Sequence, residues 1–395
     1  MLLMFVLVDP VFSGADLARA FKELGADWMP LYTDGPGRAT GGGAAVAVER
    51  KPASVVAASR FGTEYAERLA AELGLPQQDP RQAVARRNLA RMGQTLRAAG
   101  IPTVQGASLT TDTAAEPGPT LPAAWDTWPA VLRPDSAADA GVAVEVQDAE
   151  RAGHALTALR ALAPTAALLH MSAGDGTYQV HTVSSAGRHL VAEVQRHHET
   201  VADGVIRRRH SESLAGLSEP ERRFLTVVPD CLDALGIREG AAVTELRLGP
   251  DGPEVVRVRS GLDGPRGSDD PYFAAFGFTR AHLLAESLLH PDRFEQRLTR
   301  NFTRPRALIR IDLRPPQGAY GRLSAIPGLN RLRRLPGFHS VTSLPSFGTP
   351  APTDALSPLS WGAAYFVHED ESLLRSAAAV VHAMEDTGDL FTFSS

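Results

Sequence analysis

One stretch constrains the fold more than any other, residues 231–264, which read CLDALGIREGAAVTELRLGPDGPEVVRVRSGLDG. Its first part carries an apolar stripe at helical spacing, and this predicts the end of a helix that Gly240 terminates. Two alternating runs follow, residues 243–248 and 254–259, separated by a Gly-Pro-Asp-Gly-Pro turn at 249–253. The stretch therefore predicts a helix followed by a β-hairpin.

Each predicted strand carries two charged side chains that are two residues apart, Glu245 and Arg247 in the first and Arg257 and Arg259 in the second. Side chains alternate across a strand, so Glu245 and Arg247 are expected on one face and Leu246 on the other. Pairing across the turn should bring Glu245, Arg257 and Arg259 to one face of the hairpin. The sequence thus predicts a cluster of one acid and two arginines.

This order of helix, strand, turn and strand resembles the end of an ATP-grasp domain, in the branch of the carboxylate–amine and L-amino acid (dipeptide) ligases. The resemblance implies two glutamates and an asparagine that hold magnesium on ATP, and an arginine that steadies an acyl-phosphate. Glu245 matches the first glutamate, whereas Arg257, Arg259 and Gly261 stand in the other three places. Gly261 and Gly264 are accordingly expected at the substrate site.

The N-terminal region predicts a small parallel α/β unit, with a strand at 2–8, a helix at 15–24 and a strand at 27–32. No G-x-G-x-x-G follows the first strand, which argues against a dinucleotide. This unit resembles the domain that precedes the ATP-grasp core in those ligases. Residues 79–102 resemble the next family frame, in which a phosphate-binding lysine is replaced here by Leu89.

Residues 129–146 predict a strand, a polar loop and another strand. The resemblance places a phosphate-binding lysine at Arg133 and a phosphate-covering loop at Asp135, Ser136 and Gly141. Arginine can bind phosphate through two parallel hydrogen bonds, so this replacement keeps an anion contact. An acidic loop, in contrast, suits phosphate poorly.

The family's acidic pair at adenine and ribose is replaced by His170 and Met171. His210 matches a histidine near the amino-acid site, and Arg209 lies beside it in the run 207–209, which either faces an anionic ligand or covers a surface loop. Residues 197–199, His-His-Glu, lack H-E-x-x-H spacing and predict a solvated strand end.

The fold class expected from these frames is α/β and α+β: an ATP-grasp fold with an N-terminal Rossmann-like pre-ATP-grasp domain and a C-terminal α+β domain. The expected units are the N-terminal domain at 1–80, a helical linker segment at 81–125, the small ATP-grasp subdomain at 126–185, the large one at 186–304 and the C-terminal domain at 305–395.

Composition restricts partners and location. A net charge of −5 gives no reason to expect a nucleic-acid partner. No run approaches the roughly 20 apolar residues of a membrane span. The single cysteine, Cys231, fits a reducing cytoplasm and a buried helix face. A homodimer that binds a small amino acid or another carboxylate is expected from the resemblance.

Three functions stay open at this point. The first is an ATP-dependent carboxylate–amine ligase with an altered nucleotide and metal site, and the enzyme class rests on this hypothesis. The second is a degenerate, non-catalytic binding or scaffold protein, and the third is ATP-independent chemistry in the old cleft. ATP is a possible cofactor, with magnesium weak or absent, because the one carboxylate left, Glu245, is a poor metal site by itself.

Overall fold

The structure is a computed structural model that describes residues 3–34, 49–110, 125–135, 142–159, 165–171, 176–202, 204–263, 269–316, 318–352 and 360–394.

The first unit is a small parallel α/β layer. Its elements, in chain order, are β1 (Met4–Val8), α1 (Ser13–Glu23), β2 (Asp27–Leu31), β3 (Ser54–Ala57) and α2 (Thr63–Glu72). The strands pair in parallel in the order β2-β1-β3, and the apolar run of β1 is buried at the centre. The predicted strand, helix and strand are confirmed with bounds shifted by a few residues.

A short helical segment joins this unit to a large sheet. It consists of a 3₁₀ turn (Pro80–Gln82), α3 (Ala83–Arg87) and α4 (Leu89–Ala98). Asp79 caps the turn by accepting a hydrogen bond from the Arg81 N–H at 2.9 Å, as its position before Pro80 predicts.

Twelve strands form the large sheet of the described residues. They are β4 (Gly106–Thr110), β5 (Ala130–Pro134), β6 (Ala143–Val146), β7 (Thr165–Leu169), β8 (Thr177–Ser185), β9 (Arg188–Ala202), β10 (Val205–Ser213), β11 (Gly240–Gly249), β12 (Gly252–Ser260), β13 (Ala307–Asp312), β15 (Phe338–Thr342) and β16 (Ala363–His368).

The sheet forks at β10. Its main order is β12-β11-β8-β9-β10-β6-β5-β7-β4, while β13 also pairs with β10 and leads on to β16 and β15. β6 pairs with the start of β10, at Val205 and Ile206, and β13 pairs with the end of β10, residues 210–213. The β4–β7 branch therefore leaves the main sheet, and a cleft can form between the two.

Helices cover both sides of the sheet. The remaining ones are α5 (Ala149–Leu159), α6 (Glu219–Arg222), α7 (Phe224–Ala234), α8 (Asp269–Phe276), α9 (Arg280–Leu289), α10 (Pro291–Leu298), α11 (Leu329–Leu332) and α12 (Glu371–Asp386), and a separate ladder joins β14 (Arg322–Ala325) to β17 (Thr392–Ser394). No helix in the described ranges is both long enough and apolar enough to span a bilayer.

The two faces of the main sheet differ in chemistry. One face carries Val180, Val194 and Leu246, which pack with α4 and α7 into a buried apolar core that also contains Cys231. The opposite face carries polar side chains from β8 to β12, and α9 covers its β8 end. The main sheet therefore has an apolar core on one face and buried polar side chains on the other.

The predicted hairpin is confirmed and is longer than expected, with Glu245 opposite Arg257 and a bulge after this pair. Two of the expected unit boundaries cut across observed pairings. The boundary at 185 falls in the turn between β8 and β9, and the segment predicted as a helical linker contains β4, which pairs with β7. The domain boundaries stay predictions.

Gly261 sets how closely the N-terminal unit approaches the hairpin. Its φ is +92°, and a Cβ there would lie 3.0 Å from the backbone N and Cα of Arg60. We expect Gly261→Ala to destabilise the protein by about 1–3 kcal/mol more than a glycine replacement that meets open space, because backbone must move. Urea unfolding would measure the difference.

The matched control is Gly277→Ala, since Gly277 also has a positive φ, +77°, but a Cβ there meets nothing within 4 Å. It should show only the conformational cost of about 1–2 kcal/mol. Equal losses for the two variants would contradict the close approach at Gly261.

Candidate functional site

Glu245 is held between two arginines that come from different parts of the sheet. The Arg133 guanidinium donates to both carboxylate oxygens, with Nη1–Oε1 at 2.6 Å and Nη2–Oε2 at 3.3 Å. Arg257 donates from Nε to Oε2 at 3.3 Å. Arg133 ends β5 and Glu245 lies on β11, so this contact closes the β4–β7 branch over the polar face.

The three side chains of this ion group are almost completely buried. The side chains of Arg133, Glu245 and Arg257 are 12%, 8% and 9% exposed. Burial alone would raise the pKa of Glu245, but the charges of Arg133 and Arg257 outweigh it and hold that pKa well below its usual range. Glu245 is therefore ionised at neutral pH.

A second ion group lies further along the same face. Arg259 was predicted beside Glu245, and its charge does act on that carboxylate. It also donates to the carboxylate of Asp263, which accepts from Arg60 Nη1 at 2.8 Å as well. Burial would raise the pKa of Asp263, and the two arginines together hold it well below its usual range. This group joins the hairpin to the N-terminal unit, and no sequence pattern pointed to Asp263.

Polar side chains continue across the sheet in register. Glu245 is opposite Gln179 on β8, Gln179 is opposite Gln195 on β9, and Gln195 is opposite Ser213 on β10. Because residues opposite each other share a face, this row extends the charged hairpin towards the centre of the sheet. All five of its members, counting Arg257, are buried.

Glu193 and Arg280 organise the covered end of the polar face. Glu193 accepts hydrogen bonds from Ser213 Oγ and from Gln195 Nε2, the latter at 2.8 Å, and lies 3.3 Å from Arg280 Nε. Arg280 Nη1 also lies 2.7 Å from His181 Nδ1. Burial and the Arg280 charge lower the pKa of His181, so this imidazole is neutral.

The segment 197–199 corrects a prediction. It was expected as a solvated strand end, but it lies inside β9, and His197 is only 3% exposed. Its Nδ1 lies 3.0 Å from Ser211 Oγ on β10. Burial and then the charge of Arg208 lower the pKa of His197. The polar alternation that suggested solvent instead belongs to a face that the rest of the chain covers.

The region expected to meet adenine is apolar in the residues that the structure describes. Met171 is 5% exposed and packs with Val104, Val131 and Val256 between the β4–β7 branch and the hairpin. Leu89, which stands for a phosphate-binding lysine, packs against the same cluster. His170 is half-buried, and its backbone N–H donates to the Gln105 carbonyl at 2.9 Å.

The Asp135 carboxyl lies at the start of α4. Burial raises the pKa of its carboxyl, which accepts hydrogen bonds from Ser108 Oγ at 3.2 Å and from the Leu89 backbone N–H. That helix terminus would otherwise favour a phosphate. Ser136, Gly141 and Gly264, the other glycine and serine residues predicted at the site, lie outside the described residues.

His210 and Arg209 were predicted at the substrate site, and the structure places them elsewhere. His210 lies on the opposite face of β10 from Ser211, where it stacks on His198 at 4.1 Å between ring centroids and lies 2.9 Å from His382 Nε2. Arg209 donates to both oxygens of Asp386, at 2.9 and 3.2 Å.

Both residues therefore bind α12 rather than the polar face. Burial, His198 and His382 lower the pKa of His210 to about 3, so this histidine is neutral at physiological pH. The surface-loop hypothesis for residues 207–209 is also wrong, because they are half-buried in β10.

The donor set does not fit a magnesium–nucleotide site. Mg²⁺ needs oxygen ligands, usually carboxylates with open positions. Both oxygens of Glu245 already accept from guanidinium groups, and Arg257 and Arg259 offer only donors. Within the described ranges no three His, Cys, Asp or Glu side chains are placed to share a metal.

No family model and no curated sequence matches this chain. Solved structures do. The L-amino acid ligase from Bacillus licheniformis superposes with a TM-score of 0.76 at 16% identity, over 100% of this chain and 99% of that one. Phosphoribosylglycinamide synthetase from Anaerococcus prevotii gives 0.66 at 10% identity, over 100% of each chain. Carboxyaminoimidazole ribonucleotide synthase from Aspergillus clavatus, complexed with ATP, gives 0.64 at 14%, over 97% and 99%.

The chain therefore has the ATP-grasp fold, which confirms the resemblance seen in its motifs.

Glu245 should be essential for stability because it balances two buried guanidinium groups. We expect Glu245→Gln to lower the free energy of unfolding by about 3 kcal/mol or more, since Arg133 and Arg257 would stay buried beside a neutral group. The control is Glu254→Gln on the same hairpin, whose partner Arg247 lies at 2.7 Å in a more exposed pair. That loss should be about 1 kcal/mol or less.

The pH dependence gives a second measurement of the same pair. The folded-state pKa of Glu245 lies below its unfolded value, so its stabilisation is complete above about pH 5 and is lost as the pH falls through the folded-state pKa. The stability difference between wild type and Glu245→Gln should shrink between pH 7 and pH 3. A constant difference would show that the Glu245 charge is not the cause.

Proposed function

We propose that this chain is a carboxylate–amine ligase-like ATP-grasp protein with an altered nucleotide and metal site, whose cleft binds a small carboxylate without Mg–ATP. One observation carries the proposal: both oxygens of Glu245 are taken by Arg133 and Arg257. A carboxylate between two guanidinium groups is a poor magnesium ligand, because their positive charges repel a cation. Guanidinium groups supply the positive charge that a metal ion would provide.

The rest of the cleft supports this proposal. The nucleotide-base region is lined by the apolar side chains of Met171 and Val256, and the Asp135 carboxyl takes up the Leu89 N–H at the start of α4. The polar face offers arginine, histidine and serine side chains, which suit a carboxylate ligand such as an amino acid. The homodimer expected from the sequence stays part of the proposal.

A second candidate is a ligase that still forms an acyl-phosphate from ATP, with arginines in place of magnesium. The full-length similarity to the L-amino acid ligase favours it. Such a step mainly requires positive charge beside the transferred phosphoryl group. Arg133 and Arg257 both contact Glu245, so their guanidinium groups are close enough to act together. Amino-acid-dependent release of phosphate from ATP would identify this function.

Ligand binding distinguishes the two. Calorimetry and thermal shift should detect carboxylates from a panel of L-amino acids, and Mg–ATP should produce no response. Arg133→Ala should remove the response to carboxylates, whereas Arg91→Ala, an exposed helix position, should keep it. A ligand at about 100 times its Kd stabilises the fold by about 2.7 kcal/mol, so binding is readily detected in a thermal shift. ATP binding that is lost on adding a chelator would overturn the proposal.

Rebuilding the metal-ligand set is a separate test. Arg257→Glu combined with Arg259→Asn restores the residues that the resemblance implies beside Glu245, and we expect measurable magnesium affinity where the wild type has little. The matched control, Arg257→Gln with Arg259→Gln, removes the same charges but adds no carboxylate, so it should bind no magnesium. Equal magnesium affinity in the two double variants would contradict the idea that guanidinium groups stand in for the metal ion.

A further inference from the structure

Two histidines on β9 have matched surroundings on one ring nitrogen and different ones on the other. His189 has Ser184 Oγ at 2.8 Å from Nδ1 and Asp233 Oδ1 at 3.3 Å from Nε2. His197 has Ser211 Oγ at 3.0 Å from Nδ1, but its buried Nε2 has no hydrogen-bond partner among the residues that the structure describes. His197 thus lacks the second partner that His189 possesses.

A buried polar atom without a partner costs free energy, so such an atom calls for an explanation. His197 lies in the middle of the polar face, in a row in which Thr177 and Ser211 are its neighbours across the strands. All three side chains are buried. The unpartnered nitrogen therefore lies inside the protein, on the polar face of the sheet.

The electrostatic surroundings favour an anion. The charge of Arg208 acts on the His197 ring more strongly than any other charge, and Arg259 contributes as well. Arg208 pairs in register with Glu199, whose pKa is raised by burial and which also has a hydrogen bond with Thr177. A cation near a neutral N–H donor makes a suitable contact for a carboxylate oxygen.

We propose that His197 is a ligand-binding residue: Ser211 Oγ donates to Nδ1, so that the Nε2–H group, together with Arg208, binds the carboxylate of the small molecule in the cleft. The inference rests on the proposed function for the class of ligand. It adds the residue that anchors the ligand and the tautomer that this residue needs. Ser211 acts as a positioning residue because it fixes that tautomer.

Nitrogen-15 NMR of the wild-type protein, labelled at histidine, tests the contact directly. Sodium acetate, L-alanine and L-glutamate are titrated in turn, with inorganic phosphate as the competing anion. The Nε2–H signal of His197 should move with a carboxylate and the protonated-Nε2 pattern should persist. Phosphate alone moving it would overturn the carboxylate assignment, and no probe moving it would overturn the site.

Three variants give the matched comparison. His197→Phe should weaken binding of the responding carboxylate at least tenfold, because the ring stays but the donor is lost. Ser211→Ala should weaken binding less and should change the tautomer pattern of His197 by NMR. His189→Phe on the same strand loses two hydrogen bonds and should bind the carboxylate with unchanged affinity.

The outcomes separate this inference from the proposed function. Unchanged affinity in folded His197→Phe, while Arg133→Ala loses binding, would overturn the role of His197 alone. Should His197→Phe fail to fold, the wild-type titration still decides the matter. Binding of Mg–ATP with no response to carboxylates would instead overturn the proposed function.

Discussion

The contact of Glu245 with Arg133 and Arg257 joins parts of the fold that four intervening strands separate in the sheet order. A buried ion group is stable only when each charge is matched, because removing ions from water costs more than an imperfect pairing returns. The position of the β4–β7 branch over the polar face therefore depends on this group. This ion group holds the β4–β7 branch against the main sheet.

The polar face behaves as one interior surface with two kinds of residue. Glu193 and Asp263 have several donors each, so they fix the geometry around them. His197 has a partner on one side only. A buried donor without a partner, next to side chains that are held in place, is a position where a polar ligand would supply the missing hydrogen bond.

The sequence was sufficient for the fold and for part of the site. Turn chemistry and period-2 alternation located the hairpin and the pairing of Glu245 with Arg257, because these are local patterns. The contacts of Arg133 with Glu245 and of Arg259 with Asp263 depend on how separate segments meet, and local patterns do not contain that information. The buried side chains on β8 and β9, such as His181 and His197, were missed because polar alternation looks the same whether water or another segment covers it.

The backbone around Gly261 limits which residues can replace it. The resemblance places an arginine at this position, yet here the backbone of Arg60 occupies the space that any side chain would need, and the backbone conformation favours glycine. Replacing Gly261 by arginine alone would not give the arrangement that the resemblance implies, because the N-terminal unit would first have to move away. A side chain at this position therefore requires a second change that displaces the backbone of Arg60.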